Sequence, residues 1–486
     1  MTLSPAARAA ALVAGGLAVL VLSGGLLGAV WLRGTVASLE GEYRVAGLEE
    51  PVAIRFDRHA RPYVEASSFE DALFAQGWLH ASHRLFQMDL FRRAGAGRLA
   101  ELLGEDMLGT DVELWRSGVP QLARALEANA TASTRARIGA YVAGVNAALE
   151  AEVAKPPEYL LLRQAPRPWE VRDVFAMGAL MAHQSANNAD QELLRLALRA
   201  ELDPERFAVF LPDEGDQQEF PFVIAAQAAK TPERLAALMR RRARLDPLAQ
   251  PLLPDLALGS NGWVVAPARS ASGHALVSFD SHDGLDLPNV SYQIHMAFEG
   301  RRLHGWSPPG LPGVVNGYND AVAWGFTNIG DSQDLFVETR SPDDPLRFRD
   351  GDVWYRAETR EVEIPVAGRE TSHRIELVRT RNGLLISEDP PISLRWSATE
   401  LARLGLGLDA LFAFNLARSA AELSAALDRL PAPALNATFA DTGGHIGFRT
   451  AGVLPMRGRG EGLVPLSGAE PGHRWRGFVA AEQLPR

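Results

Sequence analysis

An uncharged, apolar run near the N-terminus constrains this chain most strongly. The 24 residues from Ala9 to Leu32 lie between Arg8 and Arg33 and are rich in Leu, Val, Ala and Gly. A run of this length can span a bilayer and is long for the apolar region of a signal peptide. Only a weak cleavage site follows, at Thr35-Val36-Ala37. We therefore assign residues 1–40 to a signal peptide or membrane anchor. The alternative is a buried core helix.

That assignment predicts an exported protein, either periplasmic or anchored through residues 9–32 to the outward face of a bacterial inner membrane. The 486 residues, 47% of them hydrophobic, suffice for one large domain or two to three smaller ones. The net charge of −10 argues against nucleic acid as a partner, because phosphate binding needs a basic surface. Cysteine is absent, which excludes thiol nucleophiles, disulfides and thiolate metal sites.

The pattern of apolar residues divides the remainder into three regions. In residues 41–230, two short strands over 52–57 and 62–66 precede a long helix that begins after Ser68, and further helices are predicted over 131–153 and 171–202. A proline-punctuated linker occupies residues 231–259. Residues 260–486 are rich in strand patterns, with helix near 398–430.

The linker ends at Gly259-Ser260-Asn261-Gly262-Trp263. Apolar residues over 263–266 and 275–279 flank a Ser-Gly turn, which predicts a hairpin with Ser260 at the end of a buried strand. A serine that becomes the first residue of a new chain gains its own base, an α-amino group with a pKa of about 7.7–8.0. The alternative is an ordinary Gly-Ser turn that leads into a strand.

Three segments carry a resemblance to a known family. They are residues 71–101 (with DALFAQGWLH, RLFQMDLFRR and GRLAE), the junction 259–263, and residues 312–338 (with PG, GYNDAVAWGFTN and DSQDLFVE). Together and in this order they resemble the penicillin acylase family of N-terminal-nucleophile hydrolases. The resemblance implies an α/β fold, a four-layer α/β/β/α sandwich. It also implies a first subunit from residues 41–230, a spacer over 231–259 and a second subunit from residue 260 onward.

The resemblance also implies roles for particular residues. Ser260 would attack the Gly259 carbonyl, release itself as a new N-terminus, and then act as the nucleophile with its freed amine as the base. His282, in Asp280-Ser281-His282, matches a family position beside the nucleophile. The backbone N–H of Asn328 would stabilise the oxyanion, and losing such a donor typically costs about 10²–10³ in rate.

Calcium is the one cofactor that the resemblance implies, and no organic cofactor is expected. Asp331, Asp334 and the Gln333 carbonyl, with Glu192 from the first subunit, would bind this structural ion through oxygen ligands. The alternative is a group of acidic side chains in a solvated loop.

Family members continue for some hundreds of residues past the point that matches Arg486. That later part supplies an Asn side chain as a second oxyanion donor, and Asn436 lies too early to be that residue. We therefore expect a C-terminally incomplete sandwich that is a poor catalyst by itself. A truncated product, a decayed enzyme and one piece of a split enzyme with a separately encoded C-terminal fragment all remain open.

The sequence contains little that indicates another class of enzyme. The G-x-S-x-G and H-E-x-x-H motifs are absent, and His80 with His83 lacks an evident third metal ligand. The main prediction is an exported, self-processing acylase that hydrolyses a secondary amide: a β-lactam side chain, an acyl-homoserine lactone or a similar small N-acyl compound. Its pocket is expected near residues 183–189 and 285–292. The rival is a non-catalytic, envelope-anchored binding or partner protein.

Overall fold

The computed structural model describes residues 4–151, 153, 156–186, 188–209, 259–330, 332–400, 408–430, 432–460 and 462–486. The linker call over 231–259, except for Gly259, and the calcium-ligand call at Asp331 lie outside these residues. The boundaries predicted between the three regions therefore stay predictions.

The apolar run forms helix α1, Pro5–Gly34. Its window Leu12–Gly34 has a mean hydropathy of 2.1 and no buried part, and it is the one span in the described residues that is long and apolar enough to cross a membrane. Because no residue of the window is buried, the alternative of a buried core helix is wrong. An apolar helix of this kind is compatible with either a signal sequence or an anchor.

Helices dominate the chain up to residue 209. They are α2 Phe69–Ala96, α3 Ala100–Leu103, α4 Leu108–Ser117, α5 Val119–Asn129, α6 Ala132–Glu150, α7 Pro157–Leu162, α8 Val171–Ser185, α9 Asn188–Glu201 and α10 Pro204–Ala208. The Ser68 side chain accepts a hydrogen bond from the Asp71 N–H, which confirms the predicted start of α2. One helix was predicted over 171–202, but α8 and α9 are separate because Ala186 takes an extended conformation.

An eight-stranded sheet lies against these helices. Its strands, in spatial order, are β1 Ala53–Phe56, β2 Pro62–Glu65, β5 Tyr292–Phe298, β6 Arg301–Ser307, β7 Asn316–Asn319, β8 Val322–Asn328, β16 Leu435–Asp441 and β17 Ile446–Ala451. All neighbours are antiparallel except β2 and β5. The alternate residues Tyr292, Ile294, Met296 and Phe298 are buried in one core with α2, as the period of a strand with one covered face requires.

A second sheet of six strands contains β12 Glu358–Ile364, β13 His373–Thr380, β14 Gly383–Glu388, β15 Pro391–Trp396, β9 Gln333–Val337 and β19 Leu466–Ser467. Two small ribbons, β10 Arg347–Asp350 with β11 Val353–Arg356 and β18 Pro455–Met456 with β20 Gly477–Phe478, complete the strands of this region. Two helices, α11 Asp409–Asn415 and α12 Ala420–Leu427, occupy the region near 398–430 where helix was predicted.

The predicted hairpin is present as β3 Ser260–Val265 and β4 Leu276–Ser281. It lies on the face of the eight-stranded sheet opposite the helices: Trp324 of β8 contacts Phe414 of α11, whereas the next residue, Gly325, contacts Phe279 of β4. The described fold is therefore mixed α/β, with helices, a sheet and a hairpin in successive layers. The four-layer arrangement stays a prediction.

The expectation that β3 is a buried strand is wrong. None of its residues is fully buried, exposed and half-buried residues alternate over 260–263, and Trp263 is 54% exposed. Within the described residues β3 pairs only with β4. One face of the hairpin packs on the eight-stranded sheet, as at Gly262 against Thr438, and the other face carries the exposed Trp263.

Candidate active site

Ser260 begins β3 and points toward the end of β8. Its Oγ accepts a hydrogen bond from the backbone N–H of Asn328 over 3.1 Å, across a separation of 68 residues. The Asn328 side chain donates from Nδ2 to the carbonyl of Ser185 at 3.0 Å and so fixes the end of β8 against the end of α8. The structure thus brings together the two residues that the sequence predicted as nucleophile and oxyanion donor.

The peptide before Ser260 has a defined geometry. Gly259 has a φ of +121°, which favours glycine at this position because a Cβ would be strained. Its carbonyl oxygen accepts a hydrogen bond from the backbone N–H of His282 at 3.0 Å, which extends the β3–β4 pairing by one residue. The carbonyl carbon next to the Ser260 side chain therefore already has a hydrogen-bond donor on its oxygen.

The His282 imidazole lies beside the same peptide. A Cβ on Gly259 would be 3.3 Å from Nδ1 of His282. The other ring nitrogen of His282, Nε2, is 2.9 Å from Asn261 Nδ2 and 3.3 Å from Asp280 Oδ2. The predicted place of His282 next to the junction is thus observed, but its backbone N–H, rather than its ring, makes the hydrogen bond to the Gly259–Ser260 peptide.

Close packing sets the position of the hairpin on the sheet. At Gly325 a Cβ would lie 2.4 Å from the Cβ of Phe279, so only glycine allows β4 to approach β8 this closely. A Cβ on Gly262 would lie 2.9 Å from the Thr438 hydroxyl of β16. Sequence reasoning did not identify these contacts, because the partners are far apart in the chain and no local pattern marks them.

Asn436 is opposite Thr327 in the β8–β16 pairing, and its Oδ1 accepts a hydrogen bond from the Thr450 hydroxyl at 2.8 Å.

Three of the four predicted calcium ligands lie close together. Glu192 of α9 is fully buried, and its carboxylate accepts hydrogen bonds from the Leu335 N–H at 3.1 Å and from Asn188 Nδ2 at 3.3 Å. The same Asn188 amide donates to the Gln333 carbonyl at 3.2 Å. Burial raises the pKa of the Glu192 carboxyl well above its ordinary range, and the negative charge of Asp334 adds to this effect.

The described side chains around Asp334 fit a guanidinium ion rather than a metal. Arg457 donates from Nε and Nη2 to the two Asp334 oxygens, both at 2.7 Å, and Trp475 donates its indole N–H at 2.6 Å. Within the described residues no group of three or more His, Asp or Glu side chains is arranged to hold a metal ion. Because Asp331 lies outside these residues, calcium stays a prediction.

Each histidine of the pair on α2 lies within hydrogen-bond distance of a tyrosine hydroxyl. The Tyr141 hydroxyl accepts from the Gly310 N–H at 3.0 Å and is within hydrogen-bond distance of His80 Nδ1, at 2.8 Å. His83 Nδ1 is 2.7 Å from the Tyr292 hydroxyl. Burial lowers the pKa of His80 to about 3 and that of His83 to about 4. Both imidazoles are therefore neutral near pH 7.

The two predicted pocket segments lie in different places. Ser185 contacts Asn328, so the segment 183–189 reaches the neighbourhood of Ser260. The residues Gly284, Asp286, Leu287, Pro288 and Val290 line a cavity of about 640 Å³ that Ser260 does not line. The structure thus supports a pocket role beside Ser260 for the first segment only.

Comparisons with known proteins all identify acylases or amidases as similar to this chain. The penicillin amidase family profile matches residues 51–486. The penicillin acylase 2 proenzyme of Pseudomonas sp. (strain SE83) is 30% identical over 467 residues, which cover 94% of this chain and 59% of that protein. The acyl-homoserine lactone acylase QuiP of Pseudomonas fluorescens (strain Pf0-1) is 30% identical over 477 residues, which cover 92% of this chain and 55% of that protein. The chain thus spans little more than half the length of these relatives.

Among solved structures, the thermostable penicillin G acylase of Alcaligenes faecalis in its orthorhombic form is 22% identical. The match covers 46% of this chain and 41% of that one, with a TM-score of 0.39.

Proposed function

As the chain belongs to the penicillin amidase family, we propose that it is the precursor of an exported amide hydrolase that cleaves its own backbone between Gly259 and Ser260. The observation that carries this proposal is the contact between Ser260 Oγ and the Asn328 N–H at 3.1 Å, at the first residue of a strand. The 30% identity to acylases over more than nine-tenths of the chain supports the same reaction class.

Self-cleavage uses the groups around the junction. Ser260 Oγ attacks the Gly259 carbonyl carbon, the C–N bond breaks, and the hydroxyl proton ends on the departing nitrogen. The negative charge that develops on the Gly259 oxygen is stabilised by the His282 N–H, which already donates to that oxygen at 3.0 Å. Water then hydrolyses the resulting ester and leaves a carboxylate on Gly259 and a free amine on Ser260.

The mature enzyme uses the same serine on its substrate. The freed amine has an ordinary pKa of about 7.7–8.0, so near neutral pH a useful fraction is unprotonated and accepts the hydroxyl proton. Ser260 Oγ attacks the amide carbonyl of the substrate, and the Asn328 N–H donates to its oxygen. The amine product leaves with the proton, and water releases the acid from the acyl-enzyme.

The substrate class follows from the relatives. Penicillin acylases and acyl-homoserine lactone acylases are matched at similar identity, so we propose a small secondary amide with a variable acyl group. The apolar helix α1 supports export, with the catalytic part outside the inner membrane. A non-catalytic binding protein is the second candidate function. Within the described residues the Ser260–Asn328 contact supports the hydrolase, and no observation favours the binding role instead.

Intact mass of the purified protein tests the proposal. Wild type should give two chains, the second beginning at Ser260, whereas Ser260→Ala should remain a single chain. Ser272→Ala is the matched control, because this exposed turn serine hydrogen-bonds only to Ser270 and to nearby backbone. If Ser260→Ala is cleaved at the same bond, the nucleophile assignment is wrong.

A second pair of variants distinguishes the contribution of the Asn328 backbone N–H to activity from that of the Asn328 side chain. Asn328→Ala retains the N–H and should keep most of the amidase activity, while Asn328→Pro lacks the donor and should lose about 10²–10³ in rate. Phenylacetyl, glutaryl and long-chain acyl amides are suitable substrates. Equal losses in both variants would assign the effect to the contact with Ser185 instead.

A further inference from the structure

Exposed apolar side chains are unevenly distributed over the described residues. Outside α1, six large apolar side chains in this part of the chain are more than 60% exposed. Five of them, which we call the juxtamembrane patch, are Val36 (74%), Leu160 (64%), Leu161 (78%), Leu285 (101%) and Leu287 (99%). Single exposed leucines are normal, so the concentration of the most exposed ones in one area is the informative feature.

One cavity brings the three parts of the patch together. Val36, Pro157 and Leu287 all line the cavity of about 640 Å³. Leu160 and Leu161 belong to the short helix α7 that begins at Pro157, and Leu285 lies between the lining residues Gly284 and Asp286. Segments separated by more than a hundred residues thus meet at this cavity: Val36 and Leu287 line it, and Leu160 and Leu161 follow the lining residue Glu158 by two and three positions.

The rim is next to the end of α1. The helix ends at Gly34, two residues before Val36, and an extended chain covers at most about 3.6 Å per residue. Val36 therefore lies within about 7 Å of the last helical residue. Since the apolar window Leu12–Gly34 of α1 has no buried part, a bilayer that takes up this window also reaches the patch.

The loop that carries Leu285 and Leu287 is held by α2. Arg84, where α2 departs from helical geometry, donates to the Asn289 carbonyl at 2.8 Å, and Gln87 donates to the same oxygen at 3.2 Å. These bonds fix the base of the loop and direct its apolar tip outward. The two leucines are therefore exposed on a supported loop.

The charges around the cavity are mixed. Glu158 and Asp286 line it together with Arg84. Binding of this surface to a membrane would therefore depend mainly on apolar contact with the hydrocarbon boundary, and less on attraction to anionic headgroups.

From these observations we propose that the juxtamembrane patch rests on the surface of the phospholipid bilayer that holds α1, with Leu161 and Leu287 inserted at the level of the headgroups. The folded part would then have a fixed orientation on the membrane instead of moving freely on a tether. This interaction surface goes beyond amide hydrolysis and does not depend on it.

Depth-dependent fluorescence quenching in vesicles tests the proposal. The chain has no cysteine, so Leu161→Cys and Leu287→Cys each give one labelling site for an environment-sensitive dye. Val353→Cys is the matched control, because Val353 is 58% exposed in β11 and does not line the cavity. All three are made in full-length Ser260→Ala protein, so that failure of the proposed self-cleavage cannot affect the result.

In phosphatidylcholine vesicles that contain lipids with a nitroxide near the headgroup, the dye at residues 161 and 287 should be quenched at least twofold more than at residue 353. The difference should persist in 1 M NaCl, as expected for apolar contact. Equal quenching at all three sites would overturn the proposal, as would loss of the difference in high salt.

Discussion

Gly325→Ala should separate the hairpin from its catalytic partner without changing any reacting group. The added Cβ would lie 2.4 Å from the Cβ and 2.5 Å from the Cγ of Phe279. Carbon atoms in contact need about 3.5–4.0 Å, so β4 must move by about 1 Å or more. The same hairpin carries Ser260, whose Oγ is 3.1 Å from the Asn328 nitrogen.

A displacement of that size lengthens the Ser260–Asn328 distance to about 4 Å, beyond hydrogen-bond range. The Asn328 N–H holds the Ser260 Oγ that attacks the Gly259 carbonyl, so loss of this hydrogen bond leaves the attacking oxygen misplaced even though Gly259 and His282 move with the hairpin. Misplacement of a reacting group by about 1 Å can cost on the order of 10²-fold in rate. We therefore expect self-cleavage to slow by about that factor, with an overpacking cost of about 1–3 kcal/mol in stability. The assay follows the fraction of uncleaved precursor over time by intact mass.

A variant with a similar stability cost but no contact with the hairpin is the control. Ile138→Val removes a methyl group from a buried position in α6 and should cost about 0.5–1.5 kcal/mol. Its cleavage half-time should equal that of wild type. If Gly325→Ala is cleaved within twofold of the wild-type rate, the close packing of the hairpin does not position Ser260 and the reasoning fails.

The remaining predictions concern stability. Asp89 is fully buried and joins two arginines of its own helix, so Asp89→Asn should lower the free energy of unfolding by about 3 kcal/mol in chemical denaturation; each arginine keeps a second carboxylate, which limits the loss. The pKa values of His80 and His83, about 3 and 4, lie below the unfolded value of 6.5, so the unfolded chain binds more protons in acid. Stability should therefore fall as the pH drops from 6.5 toward 4, by up to about 1.4 kcal/mol per pH unit for each histidine. Arg457→Met leaves the buried Asp334 without its cation and should lower the unfolding free energy by about 3 kcal/mol.

Each prediction has a control substitution of the same kind at an exposed position, which should have little effect. The controls are Asp352→Asn for Asp89→Asn, His274→Gln for the histidine pair, and Arg476→Met for Arg457→Met. A neutral result for Asp89→Asn, or an acid slope that His83→Gln does not reduce, would contradict the first two. A melting temperature that drops on chelation would favour calcium at Glu192 and Asp334 over the arginine.

Local patterns in the sequence sufficed for the individual elements. Hydropathy predicted α1, the apolar stripe and the Ser68 cap predicted α2, and apolar residues around a Ser-Gly turn predicted the β3–β4 hairpin. These features depend on residues within a few positions of one another, so the chain displays them directly. The burial of β3 was predicted wrongly because it depends on what covers the strand, which no local pattern records.

The tertiary structure alone decided which groups meet. The Asn328 N–H reaches Ser260 across 68 residues, and Arg457 reaches Asp334 across 123. The first contact agreed with the pairing implied by the family resemblance. The second gave a predicted metal ligand an arginine partner that the sequence did not indicate. The physical reason is that secondary structure follows from neighbouring residues, whereas the ligands of a charge and the neighbours of a nucleophile are set by strand order and packing between distant segments.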